Sequence, residues 1–196
     1  CKVCQLVKLY KNGQPFKMSK RAGEFISVQD LLDEVDKDLI RFMMLNRSND
    51  VELDFDFEKV KEKTKDNPVF YVQYAYARIN SITRSLNISL KDKISINSKT
   101  FKPNEYEEKI IRKIFEWPKV IESSANRLEP HKIPFYLYEL STLFHSYWSK
   151  GNEDNKFRFI QNGKIKKEDS IVFIYLIAIV IKNGMNILGV SLPEKM

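Results

Sequence analysis

A short basic segment near the start of the chain carries the residue types best suited to chemistry. It reads Lys17-Met18-Ser19-Lys20, and Gly23 follows closely. Two ammonium groups flank a hydroxyl, with Met18 as an apolar anchor. Such a loop can close over a polyphosphate and stabilise the charge that develops on a leaving group, provided that it binds the transition state better than the nucleotide. The alternative is an ordinary solvated basic turn.

A β-hairpin is predicted immediately before this basic segment. Val7, Leu9 and Phe16 alternate with polar residues around Asn12-Gly13. Both turn positions tolerate positive φ, which makes this pair the strongest short hairpin signal. A basic loop attached to the second arm of a hairpin should be exposed and mobile.

Two short helices and an extended segment are predicted after the basic segment. Ser27 and Asp30 form a start that resembles a capping box, and a joint between the helices is expected near Asp36 or Lys37. The apolar residues at helical spacing are Leu31, Leu32, Val35, Leu39, Phe42 and Met43. The alternating apolar residues of the half-buried extended segment are Val51, Leu53, Phe55 and Phe57.

From about Glu58 onward the sequence predicts a bundle of four or more helices. Asn67-Pro68 supplies an N-cap followed by proline at the first helical position. A later helix is expected to be disturbed at Pro118, and another is expected to begin near Pro134. The last helix is predicted from about Glu168 to Leu188, closed by Gly189. The polar stretches 88–104 and 151–166 are predicted to be a linker and a loop.

Composition places the chain among globular proteins. Its 196 residues suit one or two modest domains, and Gly and Pro are too sparse for a collagen-like or disordered chain. The net charge of +7 fits a polyanionic partner such as RNA, but it also fits a genome that favours lysine. Charge alone therefore leaves both interpretations open.

Cys1 and Cys4 have a CxxC spacing, but the interpretation favoured here is structural. A zinc site normally needs a second pair of ligands, and neither His131 nor His145 has a matching context. No metal site is therefore predicted, and a reducing cytoplasm is the default compartment. The residues whose alternation predicts a buried strand here are Val3, Cys4, Leu6 and Val7.

The stretch from Ile171 to Ile181 is strongly apolar, yet it is far shorter than the ~20 residues that a membrane-spanning helix needs. It is predicted to be a buried core helix, and no signal peptide opens the chain. We therefore expect a soluble protein with no membrane partner.

Three separated segments of the chain resemble one family. Lys17-Met18-Ser19-Lys20 matches the KMSK signature of class I aminoacyl-tRNA synthetases. The flanks over residues 17–45 and the segments 54–82 and 179–196 are similar to arginyl-tRNA synthetases in the same order. The resemblance covers essentially the whole chain, which makes it highly specific.

This resemblance implies a reaction. In the full-length enzyme, with ATP and Mg2+ as cofactors, the arginine carboxylate is activated as an adenylate and the arginyl group passes to the 3′ end of tRNA(Arg). Lys20 would stabilise the pyrophosphate side of the transition state with help from Lys17, while Met18 and Ser19 shape the ATP-binding loop. The HIGH-type motif, the nucleotide-binding α/β fold and the arginine site of this class are not visible in the chain. We therefore expect the chain alone to bind no arginine tightly and to form no adenylate.

The resemblance also implies a fold that is mainly α. Residues 1–57 would be the end of a class I catalytic domain, with the hairpin, the KMSK loop and the short helices. Residues 58–196 would be an all-α anticodon-binding bundle of the DALR type. The implied protein is a cytoplasmic monomer.

Aromatic and basic residues of the helical part are the predicted RNA contacts, because single-stranded bases are bound by stacking and hydrogen bonding while Lys and Arg hold phosphates. Tyr74 and Arg78 lie four residues apart and share a helix face. Tyr76 carries over poorly, because the family usually has His there. The residues that carry over as tRNA contacts are Arg47, Tyr74, Arg78, Asn183 and Met196.

Simpler interpretations stand beside these. The tyrosines could be core or rim residues, Arg47 could be a solvated charge, and His145, Tyr147 and Trp148 are assigned to ordinary packing. The chain could also belong to a cysteinyl-tRNA synthetase, act as a freestanding RNA-binding module or serve as a helical scaffold. Metal analysis of the complete protein would separate the cysteinyl enzyme, which binds zinc in its upstream region. Binding to tRNAs with swapped anticodons would distinguish the RNA-binding module and the scaffold.

Overall fold

The computed structural model describes residues 2–16, 26–88, 102–158, 160–161, 164–165 and 168–196. The helices within these ranges are α1 (Val28–Glu34), α2 (Lys37–Leu45), α3 (Pro68–Ser85), α4 (Glu105–Arg127), α5 (Lys132–Glu153) and α6 (Glu168–Leu188). The strands are β1 (Val7–Lys11), β2 (Gln14–Pro15), β3 (Leu53–Asp56), β4 (Ile160–Gln161) and β5 (Lys164–Ile165), and a 3-10 turn spans Lys59–Lys61. The predicted mainly α fold is confirmed. The basic segment Lys17–Lys20 lies outside the described residues.

The N-terminal sheet contains the predicted hairpin. β1 is the central strand, antiparallel to β2 and parallel to β3. Asn12 and Gly13 both have positive φ, 53° and 74°, as a tight hairpin turn requires. The Gly13 N–H also donates to Asp56 Oδ2 at 2.8 Å, which ties the turn to the end of β3. The sheet therefore fixes the hairpin that precedes the basic segment.

The prediction of a buried strand before Val7 was wrong. Val3 is 73% exposed and Leu6 63% exposed, and Cys4 is exposed as well. β1 begins only at Val7 because its partner β3 begins at Leu53, so the parallel ladder has no register for the residues before it. Alternation of apolar residues predicted the strand correctly from Val7 onward but not its extension towards the N-terminus.

The first two helices form as their caps predict. Ser27 is the N-cap of α1: its Oγ accepts from the Asp30 N–H at 3.1 Å, and Asp30 Oδ2 accepts from the Ser27 N–H at 2.8 Å. Asp36 caps α2 by accepting from the Asp38 N–H at 2.8 Å. The joint between the helices therefore lies where the sequence predicted it.

Helices α3 to α6 form the bundle, which confirms the second part of the predicted fold. α3 begins with the Asn67 cap and Pro68, and α4 continues through Pro118 without a break. α4 and α6 both pack against α5. Gly184 of α6 lies directly against Leu137 of α5, so these two helices approach closely. Fully buried side chains of the described residues include Ile79, Ile110, Leu140, Phe144, Ile177 and Ile181.

The apolar stretch of α6 belongs to this core. Ile171–Leu188 is long and apolar enough to cross a membrane by composition, yet most of it is buried inside the protein. It therefore behaves as the predicted core helix.

The predicted polar loop over 151–166 was only partly right. α5 continues to Glu153, and Gly151 is buried against the backbone of Arg158. Beyond it, β4 and β5 form a short antiparallel pair. The helix thus extends three residues into the predicted loop, where Arg158 Nε donates to the Gly151 carbonyl at 3.1 Å. The predicted domain boundary between residues 57 and 58 stays a prediction.

Candidate nucleic-acid interface

A pocket of about 440 Å³ opens between α3, α5 and the C-terminal tail. It brings together three of the five predicted contacts, Tyr74, Arg78 and Met196. Met196 is more than a hundred residues from the other two in the sequence. The residues that line it are Tyr74, Ala77, Arg78, Ser81, Ile82, Arg84, Trp148, Lys195 and Met196. Aromatic rings and cations around one concave surface are the chemical features that bind unstacked nucleobases.

Arg78 contributes a guanidinium group with several contacts to the pocket. Its Nη2 donates to the Tyr74 hydroxyl at 2.5 Å, and its carbon atom Cζ lies 4.4 Å from the centroid of the Tyr74 ring. The centroid of the Trp148 ring lies 5.3 Å from the same carbon. These are cation–π distances. The planar cation is thus held beside two aromatic rings, while Tyr74 stays 44% exposed and accessible to a ligand.

The C-terminal tail forms one wall because several contacts fix its path. Gly189 has a φ of 67°, the left-handed conformation that ends α6. Gln73 Nε2 donates to the Ser191 carbonyl at 3.1 Å, and Arg84 Nη1 donates to the Glu194 carbonyl at 3.1 Å. From Ser191 to Glu194 the tail therefore runs along α3 from Gln73 towards Arg84, and Lys195 and Met196 then line the pocket.

A buried histidine lies behind Arg78. His145 of α5 has its Nδ1 at 3.2 Å from Arg78 Nη1 and its Nε2 at 3.3 Å from the Tyr71 carbonyl. Burial lowers the pKa of His145 to about 4, with a further lowering by the charge of Arg78 and an opposing effect of the Tyr71 carbonyl. The imidazole is therefore neutral at neutral pH.

Arg47 and Asn183 lie apart from this pocket. Arg47 is exposed at the end of α2, where its Nε donates to the Glu52 carbonyl at 3.1 Å. It lines a different pocket of about 300 Å³ beside the start of β1. Asn183 is exposed on α6 and lines neither pocket.

The other tyrosines of α3 differ in exposure. Tyr76 is buried, at 7% exposure, so it is a core residue. Tyr71 is half-buried, and its ring centroid lies 4.5 Å from that of His145. Burial raises the pKa of Tyr71, opposed by its hydrogen bond with Thr142. Only Tyr74 of these three presents its ring to the pocket.

Three further pocket residues, Arg84, Lys195 and Trp148, were not predicted as contacts. A signal for Arg84 existed, because the helical face of Tyr74 and Arg78 continues through Ser81 to this residue. Trp148 carried no such signal, because only the packing of α5 on α3 brings it to Arg78. No group of three or more His, Cys, Asp or Glu side chains within the described ranges could hold a metal ion.

Comparison with known proteins identifies the class. The sequence profile of the DALR anticodon binding domain matches residues 72–196. The chain therefore belongs to the DALR anticodon-binding domain family. That match begins within α3, just before the residues that line the pocket.

The relatives point to a more particular protein. The arginine–tRNA ligase of Pelagibacter ubique (strain HTCC1062) is 58% identical over 196 residues, which is 100% of this chain and 34% of the relative. The arginine–tRNA ligase of Ruegeria pomeroyi is 47% identical over 200 residues, with 100% and 34% covered. The chain thus spans about a third of the length of these relatives and corresponds to their C-terminal part.

Solved structures share the fold. One from Campylobacter jejuni, named as an arginyl-tRNA synthetase, superposes with a TM-score of 0.81 at 28% identity, over 98% of this chain and 40% of that one. The arginyl-tRNA synthetase of Thermus thermophilus gives a TM-score of 0.69 at 20% identity, over 96% and 34%. The second likeness concerns the fold alone.

Proposed function

We propose that this chain is the anticodon-binding part of an arginine–tRNA ligase and binds the anticodon loop of tRNA(Arg) in the pocket around Arg78. The observation that carries the proposal is the placement of the Arg78 guanidinium beside the rings of Tyr74 and Trp148, with Tyr74 exposed to solvent. The DALR family match and the identity to arginine–tRNA ligases support it.

The pocket offers separate partners for the parts of a nucleotide. The exposed Tyr74 ring stacks on a base, a contact worth about 1–3 kcal/mol in single-stranded complexes. The remaining N–H groups of Arg78 donate to acceptor atoms at the base edge. Arg84 and Lys195 at the rim attract the phosphates, and the net charge of +7 adds to this attraction. Arg47 and Asn183 lie elsewhere and would contact other parts of the tRNA.

The proposal for the whole enzyme extends beyond this pocket. The ligase uses ATP, with Mg2+, to activate arginine, and Lys17 and Lys20 of the KMSK loop would stabilise the charge that develops on the pyrophosphate. These residues lie outside the described part of the structure, so the site on them stays a prediction. The protein would work as a cytoplasmic monomer with tRNA as its macromolecular partner.

A binding experiment tests the RNA proposal directly. The affinity of the chain for tRNA(Arg) is measured beside that for the same tRNA with its anticodon exchanged, at two salt concentrations. We expect tighter binding of the arginine anticodon and weaker binding at higher salt. Arg78→Ala should abolish the preference, whereas Arg112→Ala, which removes an exposed charge from α4, should preserve it.

Two results would contradict the proposal. Equal affinity for both tRNAs would favour a general RNA-binding module, and no salt-dependent affinity would favour a helical scaffold. Pyrophosphate exchange is measured separately, and the isolated chain should show none. Robust exchange would overturn the assignment of adenylate formation to other parts of the ligase.

A further inference from the structure

We propose that His145 is a positioning residue that holds Arg78 in the RNA pocket by accepting a hydrogen bond on its Nδ1. The inference rests on the proposed function, because Arg78 is taken to contact RNA. His145 itself is buried, at 7% exposure, and is absent from the lining of the pocket. It therefore acts through Arg78 and does not touch the ligand.

The contacts of the imidazole fix its tautomer. Nε2 lies 3.3 Å from the Tyr71 carbonyl oxygen, which can only accept a hydrogen bond, so Nε2 must carry the proton. In a neutral ring the other nitrogen, Nδ1, then presents a lone pair. Arg78 Nη1 lies 3.2 Å from Nδ1 and can only donate. Both contacts are therefore satisfied by the neutral tautomer that has its proton on Nε2 and its lone pair on Nδ1.

The surroundings keep the ring in this orientation. The His145 ring stacks on Tyr74 with centroids 5.5 Å apart and planes 23° from parallel, and it packs on Tyr71 and Phe144 at 4.5 and 5.6 Å. The titratable groups that face it are the phenols of Tyr71 and Tyr74 on α3, and the charged group is Arg78. A second proton on the ring would place a cation beside the guanidinium, so the neutral form persists at neutral pH.

The consequence for Arg78 is a fixed direction of its free donors. His145 engages Nη1 and Tyr74 engages Nη2. A guanidinium has five N–H groups, so about three remain for a ligand, in a plane set by these two partners. Loss of the Nδ1 acceptor would leave Nη1 without this hydrogen bond, and the plane of the guanidinium would be set less firmly by Tyr74 and Trp148. The preference for one base should then weaken more than the attraction of RNA in general.

Two conservative variants separate positioning from packing. In His145→Gln the side-chain amide reaches the place of Nε2 and can donate to Tyr71, but no acceptor remains at the place of Nδ1. In His145→Asn the amide oxygen lies near the place of Nδ1 and can still accept from Arg78. We expect His145→Gln to lower the affinity for tRNA(Arg) about tenfold, the loss typical of one hydrogen bond to a charged group. The His145→Asn protein should keep most of the affinity.

A double-mutant cycle gives the decisive measurement. If His145 acts through Arg78, the affinity of the variant with both Arg78→Ala and His145→Gln equals that of Arg78→Ala alone. Affinity for the anticodon-exchanged tRNA should stay unchanged in His145→Gln, which a merely unfolded variant could not show.

The outcomes distinguish the two proposals. Unchanged tRNA(Arg) affinity in His145→Gln, or losses that add in the double variant, would overturn the role of His145 while leaving the RNA pocket intact. Wild-type affinity and preference in Arg78→Ala would instead remove the proposed function, and the role of His145 with it.

Discussion

Asp38 of α2 accepts a hydrogen bond on Oδ2 from the backbone N–H of Ser191 at 2.9 Å, although 153 residues separate them. The Ser191 hydroxyl donates to the same oxygen. Asp38 is buried, and its other oxygen, Oδ1, has no partner within the described structure. Helix α2, which follows the predicted KMSK segment, is thus joined to the tail that forms one wall of the proposed RNA pocket.

Asp38→Ala should loosen this tail. The variant removes the acceptor of two hydrogen bonds to a carboxylate, so we expect the free energy of unfolding in urea to fall by about 1.5–3 kcal/mol. The affinity for tRNA(Arg) should fall with it, because Lys195 and Met196 lose their fixed position. Asp38→Asn is the matched control, because it keeps an acceptor oxygen and should lose less. Equal RNA affinity in all three proteins would show that the tail does not form the binding surface.

Trp148→Ala should weaken RNA binding. The ring is half-buried and lies beside Arg78 at the pocket wall, where its removal takes away a stacking surface. Stacking on an aromatic side chain contributes about 1–3 kcal/mol per base, so the dissociation constant should rise about 5- to 150-fold in fluorescence titrations. Trp148→Phe should keep much of the affinity. If Trp148→Phe lost as much RNA affinity as Trp148→Ala, the tryptophan would have a role other than stacking.

The stability of the protein should depend on pH through His145. Its pKa is lowered from 6.5 to about 4 in the folded state, chiefly by burial, so between these values the unfolded chain binds more protons. The free energy of unfolding therefore falls as pH falls from 6.5 to 4, by at most about 3 kcal/mol from this residue.

This pH dependence is measured by urea denaturation at several pH values. The His145→Gln protein should show a shallower decline over the same window, because Gln does not titrate. Parallel curves for the two proteins would mean that His145 is not buried as a neutral ring.

Gly184→Ala should destabilise the bundle. A Cβ at this position would lie 2.7 and 2.8 Å from the two terminal carbons of Leu137, which is fully buried. Overpacking of this kind costs about 1–3 kcal/mol and outweighs the roughly 1 kcal/mol that alanine gains over glycine in a helix. Thermal unfolding should show the loss, and adding Leu137→Val should recover part of it. A more stable Gly184→Ala protein would show that α5 and α6 separate easily.

The elements that the sequence predicted correctly are those whose signals are local. The turn at Asn12-Gly13 and the caps at Ser27 and Asn67 each depend on hydrogen bonds within a few residues. Gly189 ends α6 for a similar reason, because a left-handed residue is needed there. Such local signals can be recognised in the sequence without knowledge of the tertiary structure.

Tertiary packing decided what the sequence did not predict. The exposure of Val3 and Leu6 depends on where β3 begins, and the role of Trp148 depends on how α5 crosses α3. His145 was assigned to packing, and it is indeed buried, but its two nitrogen partners lie on another helix. Tyr74 and Arg78 were paired correctly, because one turn of helix relates them.

The contact of Gly184 with Leu137 also constrains how this bundle can diverge between species. The side chains at the two positions share a fixed volume. A related protein with a larger residue at position 184 is therefore expected to have a smaller side chain at position 137. Correlated substitution at these positions is therefore expected among related sequences. Trp148 lies on the same helix as Leu137, so substitutions that moved α5 away from α6 would also shift one side of the proposed RNA pocket.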